Sequence, residues 1–176
     1  VKKTKATGKV QLTIKDDKKF HAVNVVAYLE GSDRGAAKDA VVFSAHMDHM
    51  GTRLDGDAFN GADDNASGTS GLLDIAEAFA QGEPPRRSVV FLAVSGEELG
   101  LWGSQYYSEH PTWPLSRIIA DVNIDMIGRN TSLSPANRIS VTPSHQHGQY
   151  STLVRTASAL AAKMGMSLSS GDTYYT

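Results

Sequence analysis

Cysteine is absent from the 176 residues, which removes disulfide scaffolds, thiolate zinc sites, iron–sulfur clusters and cysteine nucleophiles together. The same absence leaves the redox compartment unreadable. Long apolar runs are missing too: the longest, such as Val89 to Val94, fall far below the roughly 20 residues of a membrane-spanning helix. No membrane partner is expected. Internal repeats and low-complexity tracts are lacking, so residues 1–176 read as one continuous domain. The opening VKKTKATGKV has neither an initiator Met nor a charged-then-apolar leader. Any targeting segment is therefore expected upstream, in a chain that was processed or excised.

What is present suits an ordinary soluble domain, with 17 Lys plus Arg, 19 Asp plus Glu, a formal charge of -2 and 40% apolar residues. A chain of this length buries roughly two thirds of its unfolded surface, enough for a core without a staple. Charge is unevenly placed. Seven of the nine Lys precede residue 20, while residues 46–64 hold five Asp against one Arg. The Lys cluster reads as a solvated edge strand rather than a nucleic-acid patch, and no nucleic-acid partner is expected.

Strand and helix signals alternate along the chain. Residues 8–15 and 20–29 have strand composition, with a hairpin expected at Asp16 and Asp17. Residues 40–45, 88–94 and 118–124 are short, β-branched and apolar on both faces, as in strands covered on both sides. Leu72, Ile75, Ala76 and Phe79 recur at helical spacing after Asn65 and Ser67, either a plausible cap, and Gly82 with Pro84 and Pro85 ends the run. Residues 98–109 predict a second helix, stopped by His110 and Pro111. A third runs from Leu153 to Met164 and closes at Gly165. This order predicts an α/β fold with a mixed, mostly parallel central sheet between helical layers.

In such sheets ligands sit beyond the carboxyl ends of the strands. One strand runs into His46, Met47, Asp48 and His49, another into Glu97 and Glu98, and a third into Asp125. Carboxylates gathered there repel one another unless a cation neutralises them. Arg53 and Arg129 are too few, so a divalent metal is the economical account. Mixed imidazole and carboxylate ligation favours zinc, with cobalt or manganese possible. Asp48 can take the other ring N–H of His46 and fix its tautomer. The loop NGADDNASG, residues 60–68, also reads as a turn and helix cap, but it can push Asp63 into the crevice, where a carboxylate bridges two ions. Of the neighbours Glu97 and Glu98, one can bind metal while the other holds a proton.

The blocks AHMDHMG, NGADDNASG, SGEELGLWGS and NIDMIG, in that order and spacing, resemble the motifs of the co-catalytic di-zinc aminopeptidases, family twenty-eight of the metallopeptidases. The resemblance implies a three-layer zinc-exopeptidase fold. It assigns His46 and Asp125 to one zinc, Asp63 to the bridge and Glu98 to the second zinc. Glu97 matches the general base and Asp48 the carboxylate orienting His46. It further implies a peptide substrate, two zinc ions per complete domain, and a secreted or periplasmic setting.

One departure stands out. The family's terminal ligand is a His that follows the third helix and a further strand, whereas His145 and His147 precede that helix. The chain stops at SGDTYYT, about where the ligand loop begins, so a missing C-terminal portion and one or partial metal occupancy are expected. The leading function is a zinc aminopeptidase. A carboxypeptidase or glutaminyl cyclase on the same fold, or a non-catalytic metal-binding fragment, are the alternatives.

Overall fold

The computed structural model describes residues 21–130, 136–144, 146–148 and 150–172. The expected strand over 8–15, its hairpin and the Lys cluster lie outside these residues, as does His145. Within them the chain forms strands β1 (Val25–Leu29) and β2 (Ala40–His46), helix α1 (Gly68–Gln81), strand β3 (Ser88–Val94) and helix α2 (Trp102–Glu109). Strands β4 (Ile118–Asn123) and β5 (Arg138–Val141), helix α3 (Thr152–Lys163) and strand β6 (Ser167–Ser170) follow.

The main sheet has the order β1-β3-β2-β4. β2 runs parallel to both β3 and β4, in registers that pair Ala40 with Ser88 and Ser44 with Asn123, while β1 pairs antiparallel with β3. The sheet is thus mixed and mostly parallel, as expected. From β2 the chain crosses through α1 to β3 on one side, then through α2 to β4 on the other. Strand order therefore reverses at β2, and crevices that hold ligands open at such a reversal.

Alternation along β2 and β3 gives the sheet two apolar faces. Ala40, Val42, Val90, Leu92 and Val94 pack with Tyr107 of α2, whereas Ala45, Val89 and Phe91 pack with Leu72 of α1 and with Ile124. The rings of Phe43, Phe79 and Phe91 meet at centroid distances of 5.9–6.3 Å. A side chain buried as fully as Leu72 contributes about 1.5–3 kcal/mol. These two cores make the three layers.

Two expectations are revised and one pair of strands is added. Residues 118–124 were expected to be covered on both sides, yet β4 borders the described sheet, with Ile119 and Val122 exposed. Among the described residues no strand pairs with its outer edge. The second helix begins at Trp102 rather than Glu98, because Gly96, Gly100 and Leu101 take left-handed φ values of 73°, 113° and 63° and fold residues 96–101 into turns. A small parallel pair, β5 and β6, flanks α3; four-residue strands, one of them SLSS, carry too little apolar pattern to be seen in sequence.

Candidate metal centre

The site forms where β2, β3 and β4 end. β2 delivers His46, which is 3% exposed. Its Nδ1 lies 3.2 Å from the backbone carbonyl of Asp48, which leaves Nε2 as the free lone pair. That atom stands 3.1 Å from Asp64 Oδ1 and 3.5 Å from Asp125 Oδ1. Asp125 lies two residues past the end of β4, and Met126 behind it takes a left-handed φ of 52° that turns the chain away.

Asp64 comes from the kinked turn Ala62–Ser67, where its own φ and ψ of -108° and 93° depart from helical geometry. Asn65 anchors this turn. It is 2% exposed, donates from Nδ2 to the Ile124 carbonyl at 3.0 Å, and accepts at Oδ1 from the N–H groups of Gly68 and Met126. Of the two caps considered for α1, Asn65 therefore makes the bond, while Ser67 Oγ donates to the Asp63 carbonyl. Gly68 permits this close approach: a Cβ there would sit 2.3 Å from Asn65 Oδ1 and 2.4 Å from the Ile124 carbonyl oxygen.

The bridging position expected for Asp63 belongs geometrically to its neighbour. Asp63 faces other partners, accepting from Gly128 N–H at 2.9 Å and pairing with Arg129 Nε at 2.9 Å. Asp64 instead belongs to two groups of donors, one with His46 and Asp125 and one with His49 and Glu98; within each group the atoms lie inside 4.8 Å of one another. Adjacent carboxylates in one polar loop look alike in sequence. The backbone kink distinguishes them.

Asp48 also differs from expectation. Its carboxylate stands 3.8 Å from His46 Nδ1, beyond hydrogen-bond reach, and accepts instead from the N–H groups of Glu97 at 3.2 Å and Glu98 at 3.4 Å. The imidazole is held by the Asp48 main chain, and the side chain holds the Glu97–Glu98 turn. Burial pushes the Glu97 carboxyl above its ordinary value; the charge of His46 opposes this, and Glu98, Asp125 and Asp48 add to it. Glu98 Oε1 lies 2.6 Å from His49 Nδ1. His49 was visible in sequence as a member of the HMDH run but had no role there. His147 N–H bonds the Ser144 carbonyl in the turn ahead of α3.

The donor set fits a divalent ion. Arg129 is engaged by Asp63, and Arg53 lies over the Phe59 ring at 4.7 Å. Among the described residues, Asp64 and Asp125 have His46 as their ion-pair partner. Two carboxylates converging on an imidazole nitrogen, with no Lys or Arg between them, are the donors zinc takes.

Comparison with known proteins finds an aminopeptidase and zinc metalloproteases among the relatives. Aminopeptidase YwaD of Bacillus subtilis is 33% identical over 140 residues, 77% of this chain and 28% of that protein. A probable zinc metalloprotease of Pyricularia oryzae is 37% identical over 111 residues, covering 61% and 21%. A vacuolar membrane protease of Candida dubliniensis is 35% identical over 92 residues, covering 52% and 9%. The chain thus spans less than a third of the length of these relatives. Only the last of the three is named for a membrane; among the described residues no helix is long and apolar enough to cross one. In fold, a solved leucine aminopeptidase precursor from Bacteroides thetaiotaomicron superposes with a TM-score of 0.62 at 18% identity, over 84% of this chain and 57% of that one. The model of peptidase family M28 matches residues 24–174, and the chain belongs to that family.

Proposed function

We propose that the protein is a zinc-dependent aminopeptidase, in which His46, Asp64 and Asp125 hold one ion and Asp64 with Glu98 contributes to a second. The observation that carries this reading is the convergence of Asp64 and Asp125 on His46 Nε2 at 3.1 and 3.5 Å. The name of the Bacillus subtilis relative supports release of residues from the amino end. A secreted or periplasmic setting rests on the family resemblance alone.

Zinc held by these donors would supply Lewis acidity toward water and the scissile carbonyl. The chain's own residues do the rest. The Asp48 carbonyl fixes the His46 tautomer, and the Asp48 carboxylate fixes the turn that presents Glu97. The Glu97 carboxylate takes a proton from the attacking water as the new C–O bond forms, then gives it to the amine as the C–N bond breaks. The Asp125 and Glu98 carboxylates, when they hold zinc, would no longer add their full charge to the raised pKa of Glu97.

The test is amino-acid release from aminoacyl anilides by the zinc-loaded protein, run beside blocked peptides with a free carboxyl end and N-terminal glutaminyl peptides. Only the first should turn over, and a chelator should stop it. Glu97→Gln should lower turnover by about 100-fold or more with metal content unchanged. Cleavage from the carboxyl end would establish a carboxypeptidase, pyroglutamate formation a cyclase, and loss of metal in Glu97→Gln would exchange the roles of Glu97 and Glu98.

A further inference from the structure

We infer that His49 is a positioning residue for Glu98, acting through a hydrogen bond and not as a metal ligand; this rests on the zinc reading above. Spacing separates the two roles. Two donors on one tetrahedral zinc stand roughly 3.3 Å apart, given bond lengths of about 2.0–2.2 Å. His46 Nε2 meets that distance toward Asp64 and Asp125 at 3.1 and 3.5 Å. His49 Nδ1 and Glu98 Oε1, at 2.6 Å, are too close to share an ion at those bond lengths. Their separation is that of a short charge-assisted hydrogen bond. An ionised carboxylate only accepts, so Nδ1 carries the proton.

The ring is held in place for this task. Residues 51–59 fold back as a small hairpin, through Phe59 N–H on the Gly51 carbonyl at 2.8 Å, Arg53 N–H on the Asp57 carbonyl at 2.7 Å and a bridge between Thr52 and Ala58. The hairpin brings Phe59 edge-on against His49, with centroids 6.1 Å apart and planes at 86°. Gly61, at a φ of 64°, closes another side: a Cβ there would lie 3.1 Å from His49 Cγ and Cδ2. Glu98 is consequently fixed at both ends, its N–H on Asp48 Oδ2 and its Oε1 on His49. With Oε1 engaged by His49, Oε2 is the carboxylate oxygen that remains for an ion shared with Asp64. Hydrogen-bond partners of ligating side chains commonly change metal affinity by about 10–100-fold.

Zinc titration against a chromophoric chelator separates the possibilities, using wild type, His49→Ala and His49→Asn. The Asn amide N–H can occupy the place of Nδ1–H, but it does not replace an imidazole ligand. A tight first ion and a weaker, partly filled second are expected in wild type, and a wild type that holds one ion only would overturn the role of His49. In His49→Ala the first should bind as before, which also reports an intact fold, while the second weakens about 10–100-fold. His49→Asn should recover most of that loss. Equal second-ion affinity in His49→Ala and wild type would overturn the role of His49. A His49→Asn protein as weak as His49→Ala would overturn it in favour of direct ligation, and weakening of both ions together would reduce His49 to packing. A wild type that binds no zinc would remove the zinc reading itself.

Discussion

Asp63 and Asp64 are separated by one peptide bond yet face different partners, Arg129 and Gly128 in one case and His46 in the other. Their chemistry is the same, so the motif could identify the loop and not the member of the pair. The decisive quantity is the backbone direction at Asp64, set where the turn Ala62–Ser67 breaks from helical geometry. Asp64→Asn is expected to weaken both zinc ions, each by about 100-fold or more, since this carboxylate sits in both donor groups. Asp63→Asn should leave zinc binding nearly unchanged and cost about 1 kcal/mol or less, the worth of a pair whose arginine is solvent-exposed. Titration and denaturant melts of the two variants check this, and reversal of their effects would restore Asp63 to the bridge.

At the scale of elements, the strands were legible where burial on both faces leaves an unbroken apolar run, as in AVVFSA and SVVFLAV. The start of α2 was not, because Gly96, Gly100 and Leu101 bend the chain only in the context of the packed sheet. The anchoring of the loop over residues 31–38 was not legible either, because its partner lies some fifty residues further along the chain. Hydrogen bonds from Arg86, then from the N–H groups of Ala36 and Gly35, lower the Asp33 carboxyl from 3.8 to about 2. This clamp ties the entrance of β2 to that of β3. The folded pKa lies below the unfolded value, so the contribution is present above about pH 4 and disappears as pH falls toward 2. Asp33→Asn should therefore lower Tm at pH 6, with the gap to wild type closing between pH 4 and 2. A gap that does not change with pH would assign the effect to the loop's backbone alone.

Across the whole molecule, the alternation of strands and helices was enough to anticipate a mixed sheet between helices and a site at the carboxyl ends of its strands. Sequence order could not show that β2 lies between β3 and β4, because pairing is decided by which apolar faces α1 and α2 cover. Nor could it show that the three arms of the site are laced together by hydrogen bonds to the main chain. Thr69 Oγ1 donates to the His46 carbonyl at 2.9 Å, Ile124 N–H to the Ser44 carbonyl at 2.8 Å, and Asn65 joins the Ile124 carbonyl to the start of α1. The lacing makes the first turn of α1 and the imidazole of His46 parts of one cooperative opening unit. Zinc at 100 times its Kd adds about 2.7 kcal/mol to any opening that releases it, so amide exchange in that turn should slow by about 100-fold on loading. Exchange there that ignores zinc, while β2 is protected, would mean that the helix opens without disturbing the ion.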